Sequence, residues 1–251
     1  MHSSSDLNRT FHIIMERMIA TGKAPNYTEI AAELGVPPTE GQKTLRKLFS
    51  SFGFPGWFYP HTDTIMSFPP FNDAPTNHRL TIDGEQKWFG QWAFESLAVC
   101  WLFPGKTVRI DTVCPDCGET ITLEVRDGKI ESEYPKELIG YVAVPFGKWM
   151  KAGGPYTWST MNFFRSEEHL RNWKGYQENK KEGIIALSDA MRLFSRPFFT
   201  KRREPDYFSH MAKYAADMIA TMSTLPNAGS YWRLKWFEKL VFSLVLKLKS
   251  K

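Results

Sequence analysis

The sequence predicts an α+β protein. Three observations carry that reading. Phe11, Ile14, Met15 and Met18 recur at helical spacing over 7–22. Residues 107–111, 120–126 and 141–144 alternate or run apolar in the manner of strands. A second helical stripe over 205–222 aligns Tyr207, Met211, Tyr214, Ala215 and Met218. With 251 residues, 42% of them hydrophobic and 24% charged, the chain can build a sizeable core, which excludes disorder, collagen and low-complexity classes. The aromatic share of 15% is high enough to suggest a pocket or an interface as well as packing. Three cysteines close no disulfide framework, and MHSSSDLNRT has no basic-then-apolar leader pattern. No apolar run reaches the roughly 18 residues that span a bilayer. A reduced, cytoplasmic protein is therefore expected.

The elements follow in order. After the helix at 7–22, Thr28 is the expected N-cap of a short helix through Leu34, stopped by Gly35. Thr39 is the expected cap of a third helix through Phe49, with Leu45, Leu48 and Phe49 inward. Short hydrophobic stretches at 57–59 and 64–68 complete a winged-helix-like three-helix module over 1–70. Its DNA-binding reading would use Lys43, Arg46 and Lys47. The charge argues otherwise. Of the net +5, all sits in 229–251, leaving 26 basic and 26 acidic residues in 1–228, so no nucleic acid partner is expected. The Pro/Asn/Asp-rich stretch 69–78 is the expected boundary, and 79–225 a second domain. There, Trp88 to about Val99 is read as helical and Asp127-Gly128 as a hairpin turn. Ser166 is the expected N-cap of a helix through about Tyr176, and Ile184–Leu187 a short strand. Ser188 is the expected cap of a helix over 189–194.

Three segments resemble a known family. Trp88-Phe-Gly-Gln-Trp92-Ala-Phe-Glu95-Ser-Leu97 is similar to the active-site helix of the organomercurial (alkylmercury) lyases. Gly105-Lys-Thr-Val-Arg-Ile110 and Cys114-Pro-Asp-Cys117-Gly118 resemble the strand and cysteine-bearing turn that follow it. Tyr156-Thr-Trp158-Ser-Thr-Met-Asn162-Phe163-Phe164-Arg-Ser-Glu-Glu-His169 is similar to the second active-site segment. The resemblance covers roughly residues 10–225 and implies a structural role for the winged-helix-like part. It further implies a site in which two cysteine thiolates hold Hg(II) while an Asp protonates the departing carbon. Soft mercury needs soft thiolates, and a carbanion-like carbon needs an acid within reach. Carried over position by position, the cysteines fall on Trp92 and Trp158 and the acid on Glu95. Both sulfurs are gone, and an indole offers only an N–H donor. Efficient cleavage of C–Hg bonds is not expected.

Two readings of that altered site stay open. In one, Trp92 and Trp158 wall a repurposed pocket that binds or transforms a small cationic or aromatic molecule, with Glu95 sharing a helix face with Trp92 and desolvated into a neutral proton donor. Tyr156, Thr157, Ser159 and Asn162 would add polar contacts, the alternative for each being an ordinary strand residue. In the other, the indoles fill the cavity and the protein is a non-catalytic interaction module. No cofactor is expected. Cys100 is read as a buried small hydrophobe. Cys114 and Cys117 form a knuckle resembling half a zinc ribbon, which needs two more ligands. His78 or His169 could contribute, although the spacing requires neither, and a structural turn with free thiols is the alternative. The basic tail, 229–251, reads as an amphipathic helix from Trp232, docked on the body or in a homodimer, or lying in a membrane surface through 230–251.

Overall fold

A computed structural model of the chain describes residues 4–51, 56–148, 160–176 and 181–235. Helix α1 (Ser4–Thr21) buries Phe11, Ile14, Met15 and Met18, the stripe the spacing predicts. Helix α2 (Tyr27–Leu34) starts earlier than expected. Its N-cap is Asn26, whose Oδ1 accepts the N–H groups of Thr28 and Glu29 at 2.9 and 3.1 Å. The Glu29 carboxylate in turn accepts the Asn26 N–H at 2.8 Å, closing a capping box that leaves Thr28 inside the helix. Gly35 ends α2 in the left-handed conformation, as read. Helix α3 (Pro38–Phe49) has Pro37 at its N-cap and no side-chain cap. Pro38 at the first helical position, with its φ already fixed for the helix, starts α3 one residue earlier than a Thr39 cap would, and Thr39 lies inside it.

Eight strands then form one antiparallel sheet: β1 (Trp57–Phe58), β2 (Ile65–Phe68), β3 (Phe71–Asn72), β4 (Arg79–Ile82), β5 (Glu85–Gly90), β6 (Val108–Val113), β7 (Thr120–Arg126) and β8 (Lys129–Tyr134). Their order is β1-β2-β3-β5-β4-β6-β7-β8. The stretch 69–78, read as a linker, contains β3, which pairs with β2 on one side and β5 on the other. The sheet therefore runs across the expected boundary, and one hydrophobic cluster extends from Phe11 to Trp232. Trp88 corrects a second expectation. It lies in β5 rather than a helix, and its Nε1 donates to the Met18 and Ile19 carbonyls at 3.0 and 3.1 Å. A continuous apolar run is ambiguous between a buried strand and a buried helix, and here the pairing of Gly90 with Phe71 decides it. Asp127 and Gly128 make the expected turn, both at positive φ, but it leads from β7 into β8 (129–134), a strand outside the expected set, rather than into the stretch at 141–144.

A second antiparallel sheet, ordered β10-β9-β11, consists of β9 (Ile139–Val142), β10 (Met161–Phe164) and β11 (Ile184–Ala186). Helix α4 (Ala93–Ala98) packs on it through Phe94. A side chain at Gly140 would meet the Phe94 ring at 2.4 Å, so this position on β9 admits only glycine at that approach. The remaining α-helices among the described residues are α5 (Glu167–Asn172), α6 (Leu187–Phe194), α7 (Pro197–Thr200) and α8 (Tyr207–Met222). Ser166 caps α5 as predicted, although the helix stops at Asn172, four residues short of Tyr176. Helix α6 begins at Leu187 with Ala186 as N-cap, so Ser188 lies inside it.

Beyond α8 the chain turns back to the small sheet. Ser230–Trp232 is a single 3-10 turn and Arg233 is extended, so no α-helix starts at Trp232. The rest of the predicted tail helix, 236–251, lies outside the described residues. Among the described residues, no helix is long and apolar enough to cross a membrane.

Candidate functional site

Glu95 sits in the first turn of α4, where a carboxylate is favoured by the unpaired N–H groups of the helix start. Its partner is Arg202, in the turn between α7 and α8. The two Arg202 terminal nitrogens donate to the two Glu95 oxygens at 2.6 and 3.1 Å. Both side chains are almost fully buried, at 3% and 2% exposure. The guanidinium also lies 5.6 and 5.1 Å from the ring centres of Phe198 and Phe199. Burial disfavours the charge on Arg202, but the Glu95 carboxylate and Tyr207 outweigh it and hold its pKa above the ordinary value. The Tyr207 hydroxyl donates to the Phe198 carbonyl at 2.7 Å, and burial pushes its own pKa up to about 12.

Where the sequence reading set Glu95 between two indoles, the structure sets it against the Arg202 guanidinium. Two N–H donors on two oxygens is the geometry of an ionised carboxylate clamped by a fork. Trp92 is buried too, at the N-cap of α4 in extended backbone, three residues before Glu95. Asn162 is half-buried on β10, paired in register with Tyr141. Trp158, Tyr156, Thr157 and Ser159 lie outside the described residues. A shallow, open cavity of about 610 Å³ lies between α3 and the β1–β2 pair, lined by Arg46, Phe49, Trp57, Phe58 and His61, none of them a predicted pocket residue. Of the basic residues in the DNA-binding reading, Arg46 is bound by Asp63 at 2.7 Å and Lys43 by Glu40 at 2.7 Å.

The cysteines divide into two environments. Cys100 is fully buried, and burial pushes its thiol up to about 11. Cys114 and Cys117 occupy the turn that closes the β6–β7 hairpin, with the Cys114 N–H on the Glu119 carbonyl and the Gly118 N–H on the Cys114 carbonyl, both at 2.9 Å. Gly118 takes a φ of 73°, which the turn needs and a side chain would strain. His169, from α5, comes to this turn. One ring nitrogen and the two sulfurs all lie within 4.8 Å of one another. His169 Nδ1 is 2.8 Å from Asp116 Oδ2, and Arg165 forms an ion pair with Glu119 at 2.5 Å.

His78, the other candidate ligand, is not part of that group. It is buried, its Nδ1 finds no hydrogen-bond partner among the described residues, and burial lowers its pKa from 6.5 to about 4. The folded protein thus keeps a neutral imidazole where the unfolded chain binds a proton. Between pH 6.5 and 4 the unfolded state holds more protons, so stability should fall as pH drops through that window and level off below it. The gap corresponds to about 3 kcal/mol. Urea denaturation from pH 7 to 4.5 should show this loss in the native protein and less of it in His78→Leu. Parallel curves would mean that His78 protonates in the fold.

A family model described as MerB, alkylmercury lyase, matches residues 71–200. A protein of Staphylococcus epidermidis (strain ATCC 12228 / FDA PCI 1200) described as an alkylmercury lyase is 25% identical over 204 residues, 76% of this chain and 87% of its own. One of Bacillus cereus with the same description is 24% identical over 180 residues, 70% of this chain and 75% of its own. Among solved structures, the mercury-bound form of MerB2 superposes with a TM-score of 0.58 at 20% identity, covering 79% of this chain and 91% of that one.

Proposed function

This chain belongs to the alkylmercury lyase family, and from that premise we propose that it is a non-catalytic member, one that keeps the fold but does not cleave carbon–mercury bonds by the family's route. The observation that carries this reading is the buried Glu95–Arg202 pair. By the family resemblance Glu95 stands where an acid delivers a proton to carbon, and Trp92 where a thiolate holds mercury. A carboxylate that accepts two guanidinium hydrogen bonds has no proton to give, and taking one up would forfeit a charge-assisted bidentate contact in a dry site. The same pair weighs against a cation-binding pocket, because Arg202 already neutralises the one acid that would attract an organic cation.

The test is benzene release from a phenylmercury salt in the presence of excess small-molecule thiol. The native protein should not exceed the protein-free rate. Turnover above background in the native protein would overturn the proposal, and the variant Cys100→Ala/Cys114→Ser/Cys117→Ser, which has no thiol left, tells whether one of its own thiols carries it. A gain-of-function arm strengthens the comparison. Trp92→Cys, Trp158→Cys and Glu95→Asp together should acquire mercury binding if those positions match the family site, and a folded triple variant without it removes the basis of the reading.

A further inference from the structure

We propose that Cys114, Cys117 and His169 form a Zn(II) site that clips the turn of the β6–β7 hairpin to the first turn of α5. It is independent of the proposed loss of lyase chemistry, because none of its ligands falls on a position matched to the family's thiolates. The chemistry of the donor set comes first. Two sulfurs and one imidazole are soft-to-borderline ligands that select zinc over magnesium or calcium, and they are too few for an iron–sulfur cluster. In a tetrahedral site with zinc–sulfur bonds of about 2.3 Å and zinc–nitrogen bonds of about 2.0 Å, neighbouring donor atoms stand roughly 3.5–3.8 Å apart. The three donors here lie within 4.8 Å, so side-chain rotation is enough to close them on an ion.

Two further features make the site built rather than fortuitous. The first is His169, whose Nδ1 faces the Asp116 carboxylate at 2.8 Å. A carboxylate that accepts the Nδ1 proton fixes the tautomer and leaves the Nε2 lone pair for a metal, the arrangement that metal-bound histidines usually show. Asp116 lies between the two cysteines in sequence, so one turn supplies both sulfurs and the group that orients the third ligand. The second is the ion pair between Arg165 and Glu119, which ties the residue before the α5 cap to the residue after the knuckle. Cys117 is exposed, Cys114 buried and His169 half-buried, so an ion can enter from solvent and a water can complete the fourth position.

Cobalt(II) titration of the metal-stripped full chain reads thiolate coordination directly. One equivalent should bring up a sulfur-to-cobalt charge-transfer band with the visible bands of a tetrahedral ion, and one equivalent of zinc should abolish both. Cys117→Ser, at an exposed position, should lose the charge-transfer intensity expected of a second thiolate and bind zinc at least tenfold more weakly. Asp116→Asn should weaken zinc by about 10–100-fold while leaving the cobalt spectrum tetrahedral. His169→Ala should also weaken it, with the sulfur band retained. Circular dichroism of each variant checks the fold. Absence of a charge-transfer band, or zinc affinity unchanged in both Cys117→Ser and His169→Ala, overturns the site and identifies any bound metal as adventitious.

Discussion

Replacing Arg202 with methionine is expected to destabilise the protein by about 3–5 kcal/mol, the cost of leaving a carboxylate buried without its partner. Glu95 is enclosed on α4 and both of its oxygens accept from Arg202, so the variant offers it neither a counter-ion nor bulk water. Glu95→Gln should cost a similar amount by stranding the guanidinium among Phe198, Phe199 and Tyr207. The double variant Glu95→Leu/Arg202→Met removes both charges and should recover most of the loss, since a buried ion pair contributes little net stability over apolar residues of similar volume. Urea midpoints of the native chain, the two single variants and the double variant measure the coupling. A loss below about 1 kcal/mol in Arg202→Met would mean that water reaches Glu95. The carboxylate would then be free to exchange protons, and the case for a non-catalytic site would lose its support.

The two halves of that pair show where sequence reasoning stops. Glu95 was found through a family resemblance carried by its neighbours. Arg202 lies 107 residues away, in a run of Lys201, Arg202 and Arg203 that looks uniformly solvent-facing. Only packing distinguishes them. Lys201 pairs with Glu204 and Arg203 with Glu16 near the surface, while Arg202 turns inward. Signals confined to a few residues were legible, as at Gly35, Asp127-Gly128 and Ser166, because the hydrogen bonds that define them are local. Competition between local signals was not. Asn26 displaced Thr28 as a cap because Glu29 completes its box, and Trp88 went to a strand because Phe71 was there to pair with Gly90. The polar strand β8 has no apolar face to announce it, and it forms because the Asp127-Gly128 turn delivers it to β7. The choice between His78 and His169 as a companion to the cysteines was likewise tertiary. Both were candidates in the sequence, and only α5 carries its histidine to the knuckle.

Trp232→Ala should also cost about 3–5 kcal/mol, as expected for deleting a fully buried indole. The side chain has no exposed surface, its ring meets Phe94 edge-on at 5.0 Å, and its Nε1 donates to the Gly183 carbonyl at 3.0 Å. Phe94 is the α4 side chain that rests on Gly140, so Trp232 braces from the opposite end of the chain the helix that carries Glu95. Trp232→Phe separates the two contributions. It keeps most of the ring contact and should lose about 1–3 kcal/mol for the orphaned carbonyl and the smaller ring. An alanine variant within about 1 kcal/mol of the native protein would show that Phe94 does not depend on this contact. The result also decides how the basic tail must be tested. A truncation beginning at residue 230 removes a core residue, so any effect it has on membrane or partner binding is confounded by unfolding. Ending the chain after Lys235 retains Trp232 and Leu234, both buried, and assigns whatever changes in liposome flotation to residues 236–251 alone.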